Sequence, residues 1–156
     1  MKENKNVKFG RISKVSTRKF NHGEIGIIFS NWDELKLNGF VVNFTKRAEY
    51  SDWADKNAEN LCIVKEGSGY IHFNGKHLIS EAHAFKIYPG QNVVIEPVGK
   101  NLKIISIQRP SSEKEIKTNR INLEKVEIVD TSKLSSKVYE FETLAKEIFT
   151  PKHKYG

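Results

Sequence analysis

Tyr70, His72 and Asn74 alternate along the run 69–75, GYIHFNG, opposite Ile71 and Phe73. Successive side chains of an extended strand point to opposite faces, so these three polar groups share one face. A histidine and a tyrosine placed this way can work as an acid–base pair. Imidazole shuttles protons near neutral pH, and a phenol donates to a developing oxyanion. That chemistry needs the polar face turned into a site. Apolar faces turn inward by default, and with Ile71 and Phe73 inside, His72 is simply exposed. Both orientations stay open at this level. Tyr70 and His72 are the candidate catalytic residues.

Arg47, Tyr50 and Trp53 lie ahead of this strand, and Arg109 ends the last apolar run. An arginine can hold a carboxylate or phosphate through two parallel hydrogen bonds. An aromatic ring can stack on the apolar face of a sugar. Arg47, Tyr50, Trp53 and Arg109 are therefore the candidate ligand-binding residues; the plainer reading is surface arginines and one anchoring tryptophan. Asp52, Asp55 and Glu59 could offer oxygens to a hard cation, or form part of a solvated loop. Cys62, the sole cysteine, sits between Leu61 and Ile63 and reads as a small buried hydrophobe with no base nearby in sequence. His22, His77 and His153 are isolated, so the spacing supports no metal site. Gly67-Ser68-Gly69 has no following helix to hold a phosphate, and no cofactor is expected.

These residues must be positioned by strands. Short β-branched and aromatic runs recur at 26–29, 40–44, 60–67, 69–75, 77–80, 84–89, 92–97 and 102–110, cut by Gly, Pro and Asn. That pattern predicts an all-β sandwich or barrel over 21–110. Gly67-Ser68-Gly69 is expected to separate two strands, Asn74-Gly75 to turn a hairpin and Pro89-Gly90 to form a type II turn. Residues 1–20 form a basic arm and 111–121 a charged linker. Residues 122–156 hold one more strand, over 122–130, and then a helix, with Leu134, Val138, Phe141, Ala145 and Ile148 on one face. That last region could begin a further domain.

The chain has 156 residues with a formal net charge of +7. Seven Lys/Arg against one Glu fall in residues 1–20, whereas residues 21–109 carry ten of each sign. The barrel segment is thus neutral, and the arm lacks the interleaved aromatics of nucleic-acid binders, so nucleic acid is not the expected partner. No apolar run nears the roughly 20 residues that span a bilayer, and no membrane partner is expected. One cysteine rules out an internal disulfide framework; a reducing, cytoplasmic setting is the default.

The runs LCIVKEGSGYIHFNGK, HAFKIYPGQNVVIEP and LKIISIQRP resemble the cupin superfamily of double-stranded β-helix (jelly-roll) barrels, the RmlC-like fold. The first is similar to the family's E-x-Y-V-L-E-G-x-G-x-V-x-x-x-G hairpin, and the second to its G-D-x-x-x-x-P-x-G-x-x-H strand pair. The third is similar to the closing strand. The resemblance implies a mainly β fold, here with a C-terminal helix. Metal cupins carry two His and a Glu around the first hairpin and a third His after the Pro-Gly turn. In this chain the first His pair falls around 53–56, the Glu at or beside Asn60 and the last His on Val93, so the usual metal site is expected to be absent. Two functions follow as expectations. One is a metal-free domain that binds a small polar ligand, a sugar or organic acid, in a regulatory or supporting role. The other is a metal-independent carbohydrate (nucleotide-sugar) isomerase or epimerase using Tyr70 and His72. A third, a metal enzyme with the carboxylates Asp52, Asp55 and Glu59 as unusual ligands, stays open. By analogy with the family, a homodimer is expected.

Overall fold

A computed structural model describes residues 15–31, 36–110, 124, 126–134, 137–139 and 143–145. Nine strands form one antiparallel sheet that folds over on itself: β1 (Thr17–Phe20), β2 (Gly23–Asn31), β3 (Leu37–Phe44), β4 (Ala48–Glu49), β5 (Ala58–His72), β6 (Lys76–Ser80), β7 (His83–Ile87), β8 (Val94–Pro110) and β9 (Glu127–Asp130). The order is β1-β2-β3-β8-β5-β7-β9, with β4 beside β8 and β6 beside β5. Two long strands make the fold-over possible. The first half of β5 (58–67) pairs with the second half of β8 (102–110), and the second half of β5 (69–72) with the first half of β8 (94–97). Each half belongs to a different layer. Val42, Phe44, Val64 and Ile104 from one layer meet Ile71, Ile79 and Ile95 from the other in a common core.

The Gly67-Ser68-Gly69 segment corrects the expectation of a turn. It lies inside β5, at register shifts between Val64 and Glu66 and between Gly67 and Gly69. Extra residues inserted at such bulges bend and twist a strand without ending it. They also reverse its parity: Ala58, Asn60, Cys62 and Val64 are buried before the shifts, and Gly69 and Ile71 after them. In the same way, the runs expected at 92–97 and 102–110 are one strand, β8.

The other turns are as predicted. Asn74 and Gly75 take φ of 46° and 132° between β5 and β6. Gly90 takes φ of 84°, with the Gln91 amide donating to the Tyr88 carbonyl at 3.2 Å, closing the Pro89-Gly90 turn.

The sheet extends beyond 21–110. β1 draws the end of the basic arm into pairing with β2, and β9 adds to β7. Residues 1–14 and the expected linker over 111–121 lie outside the described residues. The predicted C-terminal helix is not found where the chain is described. Lys137–Tyr139 (β10) and Thr143–Ala145 (β11) pair as antiparallel strands, with Val138 opposite Leu144. Val, Tyr and Thr favour pleated backbone, and cross-strand pairing here outweighs a three- and four-residue spacing, which is only a weak prior. Among the described residues no helix is long and apolar enough to cross a membrane.

Candidate functional site

Inward parity places four polar side chains inside an otherwise apolar barrel: Asn60 and Cys62 from β5, Ser106 and Gln108 from β8. Tyr50 joins them from the 3₁₀ turn Tyr50–Asp52. That turn is locked by reciprocal capping between Glu49 and Asp52 and by a 2.8 Å bond from the Tyr50 amide to the Val93 carbonyl. His22 clamps it from outside, its ring lying 2.6 Å from the Arg47 carbonyl and 3.3 Å from the Asp52 carboxylate.

Inside, the hydrogen bonds run in one direction. The Cys62 thiol donates to Ser106 Oγ at 3.7 Å, and Ser106 Oγ donates to Asn60 Oδ1 at 2.7 Å. Asn60 Nδ2 donates to the Tyr50 hydroxyl, which donates to the Ala58 carbonyl at 3.1 Å. Burial pushes the Cys62 thiol up to about 12. Burial, then the nearby Cys62, pushes the Tyr50 hydroxyl well above its ordinary value. Both groups are neutral at physiological pH. Two N–H donors here lack partners: Trp53 Nε1 and Gln108 Nε2. Trp53 is 7% exposed and Gln108 5%, and a donor so buried ordinarily finds an acceptor. The Trp53 ring is held edge-on by Tyr50 at 5.3 Å and Phe44 at 5.4 Å.

The candidate residues divide between inside and outside. Tyr50 and Trp53 line the core, while Arg47 and Arg109 do not. Tyr70 and His72 share the outer face of β5, because Ile71, fully buried, takes the inward position. There His72 Nε2 pairs with the Glu96 carboxylate, Arg47 approaches the same carboxylate at 4.0 Å, and Lys76 Nζ stands 4.0 Å above the Tyr70 ring. The His72 hydrogen bond lowers the Glu96 carboxyl below its ordinary value. Sequence reasoning missed Glu96, whose signal was a lone charge in the apolar run 92–97. It also missed Asn60, Ser106 and Gln108 as a group, and their signal was polar residues at the buried parity of apolar strands.

The three carboxylates are not brought together. Asp52 caps the 3₁₀ turn, Asp55 accepts from the Asn57 amide at 2.9 Å, and Glu59 pairs with Lys86 at 2.8 Å and Arg109 at 3.1 Å. Among the described residues no three metal-ligating side chains cluster. The positions a metal cupin uses do not fit an ion here: the Asn60 amide is committed to Tyr50 and Ser106, and Val93 is a buried apolar side chain.

Burial alone would raise the Glu59 carboxyl, but hydrogen bonds from Lys86 and Arg109 outweigh it and hold it below its ordinary value. A depressed carboxyl stabilises the fold above its unfolded pKa, and that contribution is lost as pH falls through the folded one. Glu59→Gln should therefore cost about 1–2 kcal/mol at pH 7. The deficit should shrink as pH falls below the ordinary carboxyl range, as followed by urea unfolding across a series of acid pH values. A loss that does not change with pH would count against the ion-pair account.

The architecture is a double-stranded β-helix barrel, closed by two long shared strands and filled with side chains. That is the cupin fold. It is shared with an RmlC-like cupin from Shewanella frigidimarina (TM-score 0.55, 16% identity, 70% of this chain and 97% of that one). KdgF from Halomonas sp. is similar to a like degree (TM-score 0.55, 14% identity, 69% and 98%). So is a Pseudomonas aeruginosa protein provisionally assigned as glyoxylate-induced (TM-score 0.60, 15% identity, 80% and 48%). The chain thus spans about half the length of the Pseudomonas protein. No family model and no curated protein matches the chain.

Proposed function

We propose that this cupin-fold domain binds a small polar ligand, a sugar or an organic acid, and does no chemistry on it, in a regulatory or supporting role. The observation that carries the reading is the buried polar network at Tyr50, Asn60, Ser106 and Cys62, flanked by the unpartnered donors of Trp53 and Gln108. A buried donor without an acceptor costs about 1–3 kcal/mol, which a ligand oxygen would recover. Neutral amides and hydroxyls suit binding, and among the described residues no imidazole or carboxylate is buried.

A panel of sugars and organic acids, screened by thermal unfolding and calorimetry, tests this. A true ligand at about a hundred times its Kd should stabilise the fold by about 2.7 kcal/mol. Trp53→Phe keeps the ring, removes the N–H and should weaken that ligand about tenfold. A panel in which nothing binds would overturn the reading. The isomerase reading keeps one supporting observation, the His72–Glu96 pair beside Tyr70. Turnover of any panel sugar that is lost in His72→Ala would favour it over simple binding.

A further inference from the structure

We propose that the outer face of the β6–β5–β8 layer, together with the free edge of β6, is a docking surface for an acidic extended segment of another protein, which adds to β6 as a further strand. This surface lies outside the barrel and does not depend on what the domain binds elsewhere. Directly opposed residues of an antiparallel pair share a face. Leu78 on β6 stands opposite Tyr70 on β5, Tyr70 opposite Glu96 on β8, and Lys76 opposite His72. Leu78 is 58% exposed, and Val98, two residues beyond Glu96, is 49% exposed. Among the described residues only Ile27 is another large hydrophobic so open to solvent. Exposed apolar side chains beside a tyrosine and an arginine have the composition of an interface core.

The strand edge and the charge determine what fits there. Among the described residues β6 pairs only with β5, so its other edge offers backbone N–H and C=O groups, the template that strand addition uses. Three basic side chains gather around one carboxylate. His72 pairs with Glu96, Arg47 stands 4.0 Å from it, and Lys76 lies 4.0 Å above the Tyr70 ring. Arg47 and Lys76 alone outnumber Glu96, so an incoming carboxylate meets a cation and an incoming lysine meets repulsion. A second copy of this chain fits less well. Two β6 edges paired about a twofold axis would bring like patches together, and a lysine on an edge strand discourages that pairing.

A panel of end-blocked fluorescent heptapeptides that alternate Glu or Asp with Val, Ile or Tyr, each beside its lysine counterpart, tests this with the intact chain at pH 7. At least one acidic peptide should bind with a Kd below about 1 mM, and its lysine counterpart about tenfold more weakly or worse. Lys76→Glu should weaken that acidic peptide about tenfold, and Leu78→Ser about fivefold, with the urea midpoint of each variant unchanged because both side chains are exposed. Amide hydrogen exchange across 76–80 should slow when the peptide binds. Failure of every acidic peptide at about 1 mM overturns the inference. So does binding that ignores the charge of the peptide, or a bound peptide that leaves the 76–80 amides exchanging as before. A dimer of the chain alone, with those amides already protected, overturns it in favour of a second copy.

Discussion

Gly67→Ala should destabilise the protein by about 3–5 kcal/mol, among the largest effects a single methyl group can have. Gly67 has φ of +84°, and a Cβ built there would meet the Asn101 carbonyl oxygen at 2.1 Å. The obstacle is backbone of β8, so relief requires parting the two strands that carry the fold from one layer to the other. Gly90→Ala is the matched control. Its φ is also +84°, yet nothing lies within 4 Å of the added carbon, so it should show only the backbone term of about 1–2 kcal/mol. Urea unfolding of both variants reads the difference. If Gly67→Ala loses no more than Gly90→Ala, the close approach of β5 and β8 is not what holds the bend.

Asn60→Asp should be harmless in acid and costly at neutral pH. The side chain at position 60 is fully buried and bonded only to the neutral groups of Tyr50 and Ser106. A carboxyl there would be desolvated without a cation, so its folded-state pKa rises above the unfolded value near 3.9. The unfolded chain then ionises first. The penalty is absent below about pH 4 and grows by up to about 1.4 kcal/mol per pH unit until the folded carboxyl ionises too. A loss of about 3 kcal/mol or more is expected at pH 7.5. Denaturation at pH 4 and 7.5 checks it; equal losses at the two values would mean that water or a counter-charge reaches this site. At the position where the resemblance expects a carboxylate, this interior is built around a neutral amide.

Much of the scaffold was legible along the chain, because its signals are local. Asn74-Gly75 and Pro89-Gly90 turn as their residue types require, and the runs GIIF, FVVNF and HLIS lie within β2, β3 and β6. The resemblance of 60–110 to a cupin hairpin and strand pair agrees with the fold that the solved structures share. The candidate site was less legible. Tyr50 and Trp53 were picked out as aromatics, and they do face the core. Tyr70 and His72 looked like the chemistry of the barrel, yet Ile71 has the interior. Asn60 was noted only as standing at the family's Glu position, and Ser106 and Gln108 were not singled out, yet all three are buried. The C-terminal spacing mimicked a helix while 137–139 and 143–145 pair as strands.

Composition, turns and strand-forming runs were all present in the chain itself, since each depends on residue type and near neighbours. Which face of β5 looks inward was decided only on folding. Period-two alternation carries a side-chain direction along a strand until a bulge intervenes. Register shifts between β5 and β8 fall between Val64 and Gly69, where the two backbones approach too closely for a side chain at Gly67. Across them the buried parity of β5 changes, so that Asn60 faces in before the shifts while His72 faces out to Glu96 after them.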